Sequence, residues 1–241
     1  MKDSLFKKII KKYKLFNGNT QKGVYMKKRN LIITILLLVS SIIFIVLLKR
    51  VDIKCDAVNN SCIGLATINQ FIFNKIGVNM TWYTITDWLG IIPVLMSVVY
   101  AIIGLKQLMK RKSIKKVDKE ILLLGVFYIL VISIYILFEK CIINYRPILM
   151  NGFLEASFPS SHTLMTICLC GSSIIINNKL FKSNFTKILN IISSIIIIIT
   201  IIGRLISGVH WFTDIIGGIL ISSCLLMLFY SILNLNKKID K

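Results

Sequence analysis

The 241-residue chain has only two histidines, three prolines and ten acidic residues, against thirty lysines and arginines. With so few histidines, no Cys/His spacing in it resembles a zinc site. A two-metal centre needs clustered carboxylates or several histidines, and the sparse acids provide no such cluster. No internal repeat and no Pro/Gly-rich linker divides the chain, so there is no sign of a second domain.

What the chain has in quantity is apolar sequence. It is 56% hydrophobic, where a soluble domain holds about 45–50%. The apolar residues gather into runs approaching ~20, the length that spans a bilayer. These features describe one all-α integral membrane domain with six transmembrane helices. The spans read as Leu31–Leu48, Trp88–Leu105, Ile121–Phe138, a fourth from near Pro159 to near Asn178, Ile188–Ile206 and Ile215–Leu233. In such a protein a net charge of +20 marks cytoplasmic loops, not a nucleic-acid partner.

Residues 1–30 form a basic cytoplasmic tail, residues 31–233 the six-helix membrane domain, and residues 234–241 a second cytoplasmic tail. In the first tail Lys7, Lys8, Lys11, Lys12 and Lys14 interleave with Phe6, Ile9, Ile10, Tyr13 and Leu15. That pattern reads as a short helix on anionic lipid or as a disordered tail. Met26-Lys-Lys-Arg-Asn reads as a second translation start or as a signal-peptide n-region. The run after it is long for a signal core and lacks a small-residue cleavage site, so it is taken as the first span. In the polar stretch 49–87, Leu65, Ile68, Phe71, Ile72 and Ile76 recur at helical spacing and predict a short interfacial helix. Trp82, Tyr83 and Trp88 mark an aromatic belt.

Placing both termini and the loops at 106–120 and 177–187 on one side gives that side twenty-three of the thirty basic residues. The positive-inside rule therefore puts the termini in the cytoplasm. The loops at 139–162 and 207–214 then share the outer face. Cys168, Cys170 and Cys224 lie in apolar runs as packing residues. Cys55 and Cys62 share one polar loop, where a short disulfide forms if the loop faces an oxidising side.

The two outer loops hold the chemistry. One offers Lys140, Arg146-Pro147 and Phe158-Pro159-Ser160-Ser161-His162; the other offers Arg204, His210 and Asp214. Three cations around one point call for an anion between them, and the planar fork of arginine suits phosphate oxygens. Ser160 and Ser161 follow a proline at a helix start, so their amides and hydroxyls are expected to face that anion. If Gly203–Asp214 is helical, Asp214 lies on the face of His210 and holds one imidazole nitrogen while the other meets a substrate. His210 then attacks phosphorus, and His162 protonates the leaving oxygen and later activates water. Glu155 reads as an ion partner for an arginine, and Tyr145 and Trp211 as interface aromatics. The helix near 64–78 reads as packing on the bundle more than as a lipid entry guide.

The order Lys140…Arg146-Pro147, Pro159-Ser160-x-His162, Arg204…His210…Asp214 resembles the type 2 phosphatidic acid phosphatase superfamily. These are membrane lipid phosphatases related to vanadium haloperoxidases. The resemblance spans about residues 88–233 in layout and Lys140–Asp214 in motif detail. It implies a phosphatase/haloperoxidase-like helical bundle. It also implies phosphate binding by Lys140, Arg146, Arg204, Ser160 and Ser161, with His162 as acid, His210 as nucleophile and Asp214 as its partner. It implies no cofactor and no metal. The substrate is a lipid phosphate in the bilayer: phosphatidate, phosphatidylglycerophosphate or a polyprenyl diphosphate such as undecaprenyl diphosphate. The alternative from another class is a membrane protein that binds or transports an anion or phospholipid without chemistry.

Three positions depart from the family pattern. Ser161 stands where glycine is usual, and Gly203 where serine is. Five residues, not six, separate Lys140 from Arg146. On a regular helix that spacing turns the pair to about 120° apart, where seven positions would leave them about 20° apart. Lys140 then reaches the phosphate only from irregular backbone or by swinging round, and Glu139 is placed to pair with Arg146. Heavy use of Ile, Lys and Asn hints at an AT-rich bacterial genome. Oligomeric state is not legible.

Overall fold

The structure, a computed structural model, describes residues 2–56, 61–181 and 183–235, with side chains from Met26 onward. The elements are α1 (Lys2–Arg50), a hairpin of β1 (Lys54–Asp56) and β2 (Ser61–Ile63), α2 (Ala66–Ile76), α3 (Met80–Leu89), α4 (Ile91–Arg111), α5 (Lys119–Lys140), α6 (Ser161–Leu180), α7 (Asn184–Ser207) and α8 (Phe212–Leu235). Among the described residues, six stretches of helix are long and apolar enough to cross a membrane: Met26–Arg50, Met80–Arg111, and the four helices α5 to α8. The protein is an all-α, multi-pass membrane protein. The tail side chains at residues 1–25 and the segment 236–241 lie outside the described residues, so the lipid-surface reading of Lys7–Leu15 is not addressed.

Helix α6 is the axis. It packs against α4, α5, α7 and α8, and its polar small residues Thr163, Thr166, Ser172 and Ser173 are all buried. Small hydroxyl side chains let helices approach closely and still satisfy their oxygens on the preceding turn, which is how helices pack where lipid removes the usual hydrophobic drive. Ser172 and Ser173 each donate to Leu169 O. Helix α1 lies along α8, joined by Thr34 and Ser231 at 3.3 Å. The outward faces of α1, α4, α5 and α7 carry rows of exposed Leu, Ile and Val, as lipid-facing surfaces require.

The interfacial helix expected from residue 65 is α2. It packs on the start of α8 through Asn69, which is fully buried and donates to Thr213 Oγ1 at 2.9 Å and Gly64 O at 3.0 Å. Cys55 and Cys62 face each other across the hairpin and form a disulfide.

The second span differs from the expectation. It does not begin at Trp88 but at Met80, the first residue of α3, eight residues earlier, and it passes through Gly90 into α4. Asn79 caps α3, accepting from Trp82 N at 3.2 Å. Thr81, Thr84, Thr86 and Asp87 lower the hydropathy of α3, which is why it reads as loop in the sequence. Helix α3 packs against α7, and Gly203 makes that approach feasible. A Cβ at Gly203 would stand 2.4 Å from Thr86 Cγ2 and 3.0 Å from Trp82 Cε3. The glycine in place of the usual serine is therefore a packing requirement of this chain.

Candidate active site

The segment between α5 and α6 is not helix; it doubles back on itself. Tyr145 and Ala156 form an isolated antiparallel bridge. Arg146 N donates to Glu155 O at 3.0 Å, and Ser157 N donates to Asn144 O at 2.9 Å. This return places Asn144, Arg146, Glu155 and Ser157 side by side. Trp211 Nε1 pins it to the next outer loop by donating to Tyr145 O at 2.7 Å.

His210 lies in the turn between α7 and α8, before the first residue of α8. The i,i+4 helical geometry expected for His210 and Asp214 is therefore not what relates them. His210 Nδ1 stands 4.0 Å from Asp214 Oδ2, too far for a hydrogen bond. Its partner is Ser157: Nδ1 lies 3.1 Å from Ser157 O and 3.1 Å from Ser157 Oγ. A carbonyl oxygen only accepts, so Nδ1 carries the proton and Nε2 is left with its lone pair. The Ser157 hydroxyl in turn donates to Asp214 Oδ2. Asp214 is fully buried and also accepts from Trp211 N at 2.8 Å and from Asn144 Nδ2 at 3.2 Å. The carboxylate acts on the imidazole through Ser157 and fixes the loop that carries it.

The cations gather around His210. Burial first, then the positive charges of Arg146, Arg204 and His162, hold its imidazolium well below the ordinary histidine range. Arg204 is fully buried with its guanidinium 4.9 Å from the Tyr83 ring centroid. Tyr83, expected as a belt aromatic, thus has an inward task, while Trp88 is 69% exposed. Arg146 Nε is 3.1 Å from Glu155 Oε2, so Glu155, not Glu139, is its ion partner. Among the described residues, Arg146 Nη1, Arg204 Nε and Nη1, and His210 Nε2 are buried and have no hydrogen-bond partner. Buried donors of this kind are costly unless something accepts from them. Three such arginine donors, beside the unprotonated His210 Nε2, define a place for an anion.

His162 sits in the first turn of α6, whose N-terminus carries the partial positive charge of the helix dipole. Its Nε2 is 3.0 Å from Asp87 Oδ1. The two serines before it divide their roles. The Ser160 amide donates to Asp214 O at 3.0 Å, so it is committed within the protein, and the Ser160 oxygen accepts from Thr163 Oγ1 at 3.1 Å. Ser161 is partly exposed and lines the cavity beside His162. Lys140 is the last residue of α5, which stays regular helix to that point. Its side chain is exposed, and no described hydrogen bond or ion pair involves it. The small cavity at His210 is lined by Glu139 and Tyr135 of α5, not by Lys140.

Three residues of the site were missed in the sequence: Asp87, Asn144 and Ser157. Asp87 was hidden because α3 read as loop, although an acidic residue beside a membrane span in so acid-poor a chain is a usable signal. Asn144 and Ser157 act only through the fold of an irregular segment, which has no periodicity to read.

The family model that matches the chain is that of the PAP2 superfamily, over residues 135–238. The matched segment contains the motif residues Lys140 to Asp214. Asp87, Tyr83 and Gly90 lie before it. Among curated proteins no sequence matches the chain. Among solved structures, the chain is similar to the crystal structure of the first transmembrane PAP2 type phosphatidylglycerolphosphate phosphatase from Bacillus subtilis. The identity is 19%, covering 86% of this chain and 98% of that one, with a TM-score of 0.57. At that identity the likeness is one of fold.

Proposed function

We propose that this PAP2 protein is a membrane phosphatase that hydrolyses a lipid phosphomonoester or diphosphate through a phosphohistidine on His210. The observation that carries the proposal is the state of His210: Nδ1–H is held by Ser157 O, and the buried Nε2 has no partner and stands in the positive field of Arg146 and Arg204. Binding alone would need the arginines. It would not need an imidazole nitrogen kept unprotonated beside them, and this sets the phosphatase above the anion-binding alternative.

The lone pair of His210 Nε2 attacks phosphorus and forms an N–P bond as the P–O bond to the lipid breaks. His162 gives its proton to the departing oxygen. Water then loses a proton to His162, its oxygen attacks phosphorus, and the N–P bond breaks with its electron pair returning to Nε2. Arg146, Arg204 and the first-turn amides of α6 hold the phosphoryl oxygens throughout, as charge-assisted donors do best in a dry site. Ser160 and Ser161 help to bind the phosphate, and Lys140 joins them by swinging its exposed side chain round from the end of α5.

A cavity of about 330 Å³ runs from His162 and Asp87 along Ile91, Pro93, Val94, Met165 and Leu169. Its polar end is at the acid histidine and its walls are apolar. This suits the lipid side of the scissile bond, with the phosphate toward His210. The charge distribution supports termini in the cytoplasm and a reaction at the outer face. An outer site fits a polyprenyl diphosphate carrier better than phosphatidate or phosphatidylglycerophosphate. The deciding experiment is phosphate release by purified protein from a panel of these three lipid classes with chelator present. Release from at least one supports the reading. No release from any, with phosphate still bound, returns the protein to the anion-binding class.

A further inference from the structure

One charged side chain at the site has no task in phosphoryl transfer. Asp87 Oδ1 lies 3.0 Å from His162 Nε2 and 3.4 Å from Arg204 Nη2. A single oxygen thus bridges the acid histidine and a phosphate-binding arginine. A substrate oxygen would need the same two partners.

The charge balance explains why a carboxylate stands there. Arg204 is fully buried, and a buried cation left without a counter-charge is strongly destabilising. Of the other acids near the site, Glu155 and Asp214 are committed elsewhere. Glu155 answers Arg146, and both oxygens of Asp214 are taken by Asn144, Ser157 and Trp211. The side chain of Asp87 is also free to leave. It is 50% exposed, and its described side-chain partners are His162 and Arg204 alone. It sits in the last turn of α3, three residues before Gly90, where the chain passes to α4. It lines the mouth of the apolar cavity through which the lipid side of a substrate would lie.

We infer that Asp87 is the resting counter-ion of the phosphate site: its Oδ1 holds the position between Arg204 and His162 that a substrate oxygen takes, and the incoming phosphate displaces it. Asp87 is therefore a positioning and affinity-setting residue. It weakens the binding of any phosphate, and the lipid substrate offsets this with its apolar part. Inorganic phosphate has no such part, so it leaves readily. The inference rests on the reading of the site as a phosphate site.

The test is the affinity of the full-length, detergent-solubilised protein for inorganic phosphate, measured by calorimetry for the wild type, Asp87→Asn and Asp87→Ser. Both variants are expected to bind phosphate about 10-fold more tightly, equivalent to about 1.4 kcal/mol. Structural damage would weaken binding, so tightening separates the two roles. Unchanged or weaker affinity in variants with wild-type thermal unfolding overturns the inference. So does failure of both variants to fold, because a displaceable, half-exposed counter-ion is dispensable to the fold. Lipid-phosphate hydrolysis by the wild type separates this from the phosphatase reading. Hydrolysis without tightening removes the counter-ion role alone. Tightening without hydrolysis removes the phosphatase reading alone.

Discussion

A histidine attacks phosphorus only through a nitrogen that carries no proton, and in this protein a backbone carbonyl makes that choice. Ser157 O accepts from His210 Nδ1, which leaves Nε2 as the nucleophile. The lowered basicity of His210 works in the same direction. As pH falls through the ordinary histidine value of about 6.5, a group whose pKa lies lower stays neutral, so the nucleophile persists. With only two histidines in the chain, ¹⁵N NMR of histidine-labelled protein can follow this. His210 is expected to show the Nδ1–H tautomer and no protonation at pH 6.5; half-protonation there would contradict the assignment. Ser157→Ala removes the hydroxyl that links imidazole and carboxylate but keeps the carbonyl. Loss of such an orienting partner typically costs 10–100-fold, and kcat is expected to fall by about that factor with KM little changed. An unchanged kcat would mean that the Ser157 carbonyl orients His210 without the hydroxyl or Asp214.

At the scale of elements, the contact between α3 and α7 decides whether Arg204 is sealed in. Gly203→Ser sets a side chain against Thr86 and Trp82, and overpacking of this kind costs about 1–3 kcal/mol. A lower thermal unfolding midpoint is expected, with partial recovery in Gly203→Ser/Thr86→Ser, where the nearest methyl is gone. Additive losses in the double variant would show that the two residues do not meet. The same contact marks what the sequence could convey. Periodicity and run length located α2, α5, α6, α7 and α8, because each is dominated by its apolar residues. The motif spacings located Arg204, His210 and Asp214. Helix α3 stayed invisible because its inward face is made of Thr86, Tyr83 and Asp87, which meet Gly203 and Arg204 of α7 instead of lipid. The relation of His210 to Ser157 stayed invisible because it depends on a doubled-back segment whose bonds are set by Asn144 and Glu155. Spacing alone also pointed to a direct His210–Asp214 contact, which an early helix start would give; α8 begins two residues after His210.

At the scale of the whole molecule, the chain's alternation puts the hairpin, α2, α3 and the segments around Arg146 and His210 at one end of the bundle. The loops after α4 and α6 lie at the other. Cys141 caps α5 at the site end and is exposed, whereas Cys168, Cys170 and Cys224 are buried and Cys55 and Cys62 are joined. A membrane-impermeant maleimide applied to intact cells is therefore expected to label the protein, and Cys141→Ser to abolish labelling. Labelling only after the cells are opened would turn the topology over and put the site in the cytoplasm. A reaction carried by side chains also predicts that chelator leaves the activity intact. The most direct measurement is to trap the intermediate. With chelator present, purified protein is mixed with a lipid phosphate labelled with ³²P at its terminal phosphorus, and the reaction is quenched in alkali, where phosphohistidine survives. The account predicts label on His210, none in His210→Ala, and label that persists longer in His162→Ala. Hydrolysis that proceeds with no label on His210, or that chelator abolishes, would contradict it.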